Sequence, residues 1–359
     1  MHSLLPPEHK FAILVVSNVK ADFPDGLRLP GGVVVLKKFP VSLDPNWRNW
    51  LGLDLPRIVD ANLILLCTEG PISPQTLSIS DSTNSALSDR LVEVFVMLRL
   101  MGTIEYESAF FLTGYSKGDG NFCQNYSKLA QFYNTRGCLP WMLTAADLNA
   151  AAGLATAKQS FLSTFSDLHK VRIFRGWVAL SAALQQYFAS DRIHGFVRAL
   201  EATIHPKIGK TARQFKDRCS IFAARPEGRT AVWETLREIY AMRCDVEHLN
   251  DWDQSLSTYA PDKREDIAYW RTRQTETLAC LTYARIFGDS ELQRSFSTDE
   301  NIAALWRAPE SEIRRLFGQT FDITELKNVT KYDLTGRAHV SEWPAGWMEK
   351  LKRTHPALS

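Results

Sequence analysis

Apolar and polar positions along the chain follow one rhythm up to about residue 143 and another beyond it. In the first part short apolar runs alternate with turn chemistry: FAILVVSNV, ADFPDG, GGVVVLKKF, PVSLDPNWRNWLGLDL and ANLILLCTE. Their β-branched content and Gly/Pro punctuation predict strands, with helical turns at 47–51 and 58–62. Residues 71–88, rich in Ser, Thr and Pro, read as a surface loop. The run DRLVEVFVMLRLMG fits a buried helix or a strand, since periodicity does not separate the two at this length. TIEYESAFFLTGY then predicts a strand, followed by a loop at SKGDGN.

From Thr144 the period becomes helical. Thr144 and Asp147 have capping-box spacing, and an alanine-rich helix is predicted from there to about residue 169. Further helices are predicted at 172–188, 191–204, 211–224, 229–248, 262–287 and 299–317. Pro206 with Gly209, Pro226 with Gly228, the polar loop LNDWDQSLSTYAP, and Gly288 supply the breaks. In the helix at 229–248, Val232, Leu236, Ile239, Tyr240 and Val246 form one core stripe. Arg243 starts beside that stripe, three residues from Tyr240. The expected fold class is therefore α+β. A mixed α/β N-terminal domain spans 1–143, a mainly α-helical bundle 144–290, and a helical or irregular extension 291–359. Trp343, Pro344 and Trp347 lie in that extension.

With 45% hydrophobic and 23% charged residues, 359 residues have enough apolar material for folded cores. FAILVV is too short for a signal or membrane segment, and the expected location is cytoplasmic, without membrane association. Six cysteines (Cys67, Cys123, Cys138, Cys219, Cys244, Cys280) form no C-x-x-C and no zinc spacing with histidine, which predicts reduced structural thiols and no metal or other cofactor. A formal net charge of +2 does not by itself mark a nucleic-acid binder. Glycine-rich phosphate loops, G-x-S-x-G and H-E-x-x-H are absent from the sequence.

The candidate chemistry lies in LREIYAMRCDVEHLN, where Arg243 and His248 stand five positions apart near a helix end. Spacing alone carries nothing, because a chain with 8 histidines and this arginine content yields such pairs by chance; Arg198 with His205 is another. Positions five apart on a helix point about 140° apart, so the pair flanks a groove instead of sharing a face. The two residue types suit RNA self-cleavage. An imidazole titrating near neutrality can take the 2′-OH proton, and a guanidinium can hold the charge that builds on phosphorus.

The stretches FVRALEATIHPKIGKTARQFKDRCSIFAARPEG and TLREIYAMRCDVEHLND resemble the HEPN superfamily, in particular its Apea-like branch. The resemblance rests on R-x4-6-H at a helix end, a preceding helix with ALE, and G-K-T-x-R-x-F-x-x-R, and it covers roughly 155–290. Directly after the motif arginine stands Cys244, where active relatives often carry a polar residue. The resemblance implies an antiparallel helical bundle, a two-fold dimer, and metal-independent RNA cleavage at the dimer interface to 2′,3′-cyclic phosphate and 5′-OH ends. Arg243 and His248 become the catalytic candidates, with Asp245, Glu247 and Glu201 as supporting carboxylates. Lys207, Lys210, Arg213, Lys216 and Arg218 then read as an RNA-binding face, and as a solvated helix face otherwise. Phe215 and Phe222, seven apart, read as core. The expected role is a toxin or antiviral-defence effector whose N-terminal unit senses, restrains or multimerises the helical domain, with RNA, a second copy of the chain, and a regulatory protein or antitoxin as partners. The alternative is a non-catalytic dimerisation or RNA-binding module of the same type.

Overall fold

The computed structural model describes residues 5–71 except 18, 20, 42 and 44, then 82–101, 109–117, 120–128, 142–318 and 322–324, together with the backbone of two short strands at 331–332 and 338–339. The chain is mixed α and β, with a strand sheet first and a helical region after it. It divides into two compact units, and the division falls at Thr156/Ala157, inside one helix.

The first unit is built on a six-stranded antiparallel sheet. Its strands are β1 (His9–Val16), β3 (Leu27–Arg28), β4 (Val34–Leu36), β5 (Leu63–Glu69), β6 (Ala109–Lys117) and β7 (Gly120–Lys128), in the order β3-β4-β5-β1-β6-β7. Short β2 (Ala21–Asp22) pairs in parallel with β8 (Leu143–Thr144). Continuous apolar runs such as FAILVV mean burial on both faces of β1, and every residue from Phe11 to Val16 is buried. On one face Phe11, Ile13 and Val15 cluster with Ile64, Leu66, Phe110 and Leu112, and with Leu51 and Ile58 of α1 (Pro45–Leu51) and α2 (Leu55–Val59). α3 (Ser82–Leu100) packs across β1, β5 and β6, and none of its residues belongs to that cluster.

Two expectations change here. The run left open between helix and strand is α3, and that helix begins at Ser82, inside the stretch read as a loop. In its first ten residues Asn84, Leu87 and Leu91 are the buried positions, so a polar composition concealed a helical face. SKGDGN is not a free loop either, because β6 and β7 pair across it as a hairpin, Lys117 opposite Gly120.

The second unit is helical, and the helix in which the division falls belongs to the first unit as far as Thr156. α4 (Ala145–Leu162) opens on the expected capping box, with Thr144 Oγ1 donating to Asp147 Oδ2 at 2.8 Å and Asp147 N donating back to Thr144 Oγ1 at 3.3 Å. It ends at Leu162, not near 169, where Leu168–Lys170 form a separate 3-10 turn. α5 (Arg172–Gln185), α6 (Ala189–Ile204), α7 (Thr211–Ala223), α8 (Arg229–Glu247) and α9 (Arg264–Gly288) follow, and α6 packs against α5, α7, α8 and α9. After the short α10 (Ser290–Ser295), α11 (Asp299–Leu305) and α12 (Glu310–Phe317) replace the single helix expected at 299–317. Pro309, in extended backbone at the N-cap of α12, forces that break. The short strands β9 (Lys331–Tyr332) and β10 (Ala338–His339) pair with each other. Trp343, Pro344 and Trp347 lie outside the described residues. No described helix is long and apolar enough to cross a membrane.

Candidate functional site

Three helices build the site by helical repetition. Arg172, Arg175, Gly176 and Ala179 follow one another down one face of α5; Arg198, Glu201 and Ala202 do so on α6; Tyr240, Arg243 and Glu247 on α8. Together with Pro206 and Thr211 they line a cleft of about 590 Å³. Its floor is made by small residues. A methyl group at Gly176 would collide with Tyr283 Oη and the Ala202 side chain, so α5 and α6 lie unusually close there. Tyr283, reaching from α9, donates to Ala199 O at 3.0 Å and fixes that approach. The walls are arginines.

Arg243 is 13% exposed and held by two carboxylates: Glu247, one turn on, and Glu201 Oε2 at 3.7 Å. It also lies over the Tyr240 ring, 5.8 Å from the centroid. Burial pushes the Glu201 carboxyl up from its ordinary range, with Arg243 and the Tyr240 hydroxyl pulling it back. Burial, then Glu201, pushes Tyr240 up to about 12, so its hydroxyl stays protonated and donates to Glu201. Glu201 Oε1 and Arg243 Nε are buried without a hydrogen-bond partner. Such groups cost free energy unless something completes them.

His248 stands apart from this network. It is the exposed C-cap of α8, its backbone N–H bonded to Cys244 O and Asp245 O at 3.1 Å, and it is not among the cleft-lining residues. Leu249 follows in the left-handed region (φ 58°) with its side chain 94% exposed. Asp245 accepts from Ser255 Oγ, and its carbonyl accepts from Asn250 N at 2.9 Å, so it ties the following loop to the helix end. Of the three supporting carboxylates, Glu201 and Glu247 meet Arg243 and Asp245 does not. Burial raises the Cys244 thiol, against the pull of Arg243. Cys67, Cys219, Cys244 and Cys280 are not joined in disulfides; the side chains of Cys123 and Cys138 lie outside the described residues.

A histidine that sequence reasoning passed over lies within electrostatic reach of Arg243. His194 lies on α6 one turn before Arg198, half-buried, with Nδ1 unpartnered. Burial first, then Arg243 and Arg198, lower its pKa, while Glu247 and Asp191 oppose them. Its signal was only the spacing His194, Arg198, Glu201 on one helix face. The other candidate pair is divided. His205 caps α6 in the left-handed region (φ 46°), with Nε2 3.6 Å from Asp299, whereas Arg198 points to the cleft.

The basic stretch at 207–229 is not one face. Arg218 donates to Ile204 O and, at 3.1 Å, to His205 O, closing the end of α6. Lys216 Nζ sits 4.3 Å from the Trp233 centroid, and Arg213 pairs with Asp217 at 3.4 Å. Lys207 and Lys210 remain exposed at the turn before α7. Phe215 and Phe222 are core, as expected, the latter stacked on Phe317 at 4.5 Å. In α8 the buried stripe is Val232, Leu236, Ile239 and Met242, with Tyr240 and Val246 only half-buried. Among the described residues, no three His, Cys, Asp or Glu side chains gather closely enough to hold a metal ion. Comparison with protein-family models, curated proteins and solved structures finds no match.

Proposed function

We propose that the chain is a HEPN-type endoribonuclease that cleaves RNA without a metal, acting as a homodimer. One observation carries the reading: Arg243, the arginine of R-x4-H, lines an arginine-walled cleft while His248 of the same helix is exposed at its end. One His248 takes the 2′-OH proton, and the 2′ oxygen attacks the adjacent phosphorus. The phosphorus–5′-oxygen bond breaks, and His248 of a second copy protonates the departing 5′ oxygen. A 2′,3′-cyclic phosphate and a 5′-OH remain. Arg243 holds the non-bridging phosphate oxygens as charge builds there. A toxin or antiviral-defence role in the cytoplasm, under control of a regulatory protein, fits such an activity.

A second reading has its own support. The clasp of Arg243 between Glu201 and Glu247 is what an architectural arginine makes, and it favours a non-catalytic dimerisation or RNA-binding module. Incubating the purified chain with bulk RNA in EDTA separates the two. Nuclease activity predicts cyclic phosphate ends that vanish in His248→Ala and Arg243→Ala at unchanged melting temperature. Cleavage that survives either substitution, or a wild type without cleavage, removes the nuclease reading.

A further inference from the structure

We infer that the cleft between α5, α6 and α8 is a phosphate-binding site within a single chain, with Arg175 and Arg198 as its principal ligands. Four arginines line it against two glutamates, but their availability differs. Arg172 is committed to Asp299 through two hydrogen bonds of 3.2 and 3.3 Å. Arg243 is committed to Glu201 and Glu247. Arg175 and Arg198 are exposed and make no salt bridge or side-chain hydrogen bond among the described residues; Arg198 only feels Glu201 and His194 along its own helix. They come from different helices onto one concave surface. Two uncommitted guanidiniums facing a cavity present paired N–H forks, the geometry that phosphate oxygens fill.

A second feature of the cleft points the same way. Thr211, the first residue of the 13-residue α7, lines it, and no side chain caps that helix. The unsatisfied N–H groups and positive dipole end of α7 therefore open towards the same space as the two arginines. At about 590 Å³ the cleft holds a nucleotide as readily as a free phosphate. The shared chemistry is the phosphate group, carried either by RNA or by a small phosphorylated ligand. The assignment does not require cleavage, and it moves the phosphate contacts away from the fragmented face at 207–218.

Calorimetric titration of the full chain with inorganic pyrophosphate, AMP and a short single-stranded RNA tests it. Pyrophosphate binding should weaken about tenfold or more in Arg175→Ala/Arg198→Ala, since two charge-assisted contacts are lost. The melting temperature should hold, because both side chains are exposed. Lys263→Ala/Arg294→Ala, two exposed basic residues that do not line the cleft, is the control and should bind pyrophosphate as wild type does. RNA affinity falling together with pyrophosphate affinity identifies a phosphodiester ligand; AMP affinity falling while RNA affinity holds identifies a small one. Equal pyrophosphate binding by wild type and the double arginine variant, or no binding of any probe by wild type, overturns the assignment. His248→Ala keeps the cleft intact, so lost cleavage with retained pyrophosphate binding isolates the nuclease chemistry, and a wild type that binds but never cleaves sinks the nuclease reading alone.

Discussion

At the scale of single residues, Arg243 sets the electrostatics around it. It opposes protonation of His194 and draws down Glu201 and Cys244, each of which burial shifts the other way or, for His194, the same way. A histidine whose folded pKa lies below its ordinary value binds its proton more readily in the unfolded chain. Stability therefore rises with pH across that interval and is lost as pH falls through the ordinary value, about 6.5. His205 is lowered too, by burial and then Arg172, and adds to the same trend. The melting temperature should drop from neutral to mildly acidic pH, and His194→Gln should flatten the drop. In an NMR titration, Arg243→Ala should move the His194 midpoint upward. An unmoved midpoint would mean that the two side chains are not neighbours. Arg243 was legible in the sequence because its motif lies within one helix. His194, Arg175 and Arg198 were not, because their relation to Arg243 exists only once α5 and α6 have packed.

At the scale of elements, α6 is the helix on which the second unit turns. Its contact with α5 depends on Gly176, where a methyl group would meet Tyr283 Oη and Ala202. Gly176→Ala should destabilise the chain by about 1–3 kcal/mol through overpacking, despite alanine's better helix propensity. Chemical denaturation reads that out, and a stabilised variant would show that the helices can part at no cost. Its contact with α9 includes a buried ion pair, Arg192 Nη2 to Glu276 Oε2 at 2.7 Å, with side chains 2% and 1% exposed. Glu276→Leu strands a buried guanidinium and should cost about 3–5 kcal/mol. Adding Arg192→Met should recover much of that loss, which a double-mutant cycle measures. Periodicity revealed α5 to α9 because each buries a single stripe or, for α9, nearly its whole surface. It failed at the start of α3, where serine and asparagine occupy turns whose buried face is sparse, and at Pro309, whose break a continuous apolar count overlooks.

At the scale of the whole molecule, the proposed chemistry asks for two imidazoles where one chain offers a single exposed His248 at the end of α8. Leu249 beside it is 94% exposed in a left-handed conformation that a leucine adopts only with strain, so an apolar side chain is presented outward next to the candidate base. A two-fold pairing of these helix ends would cover Leu249 and bring two His248 side chains together. Leu249→Asp tests that pairing without disturbing a core, since the side chain is exposed and aspartate tolerates the left-handed region better. Sedimentation should show the wild type as a dimer at micromolar concentration and the variant as a monomer, and cleavage should disappear with the dimer. Mixing supplies the sharper measurement. If every site draws on both His248 residues, equal amounts of wild type and His248→Ala, allowed to exchange subunits, should retain about a quarter of the wild-type activity per total chain, because only the homodimers of wild type are complete. Half of the activity would mean that each chain cleaves alone, and a dimer that persists in Leu249→Asp would move the interface to another surface.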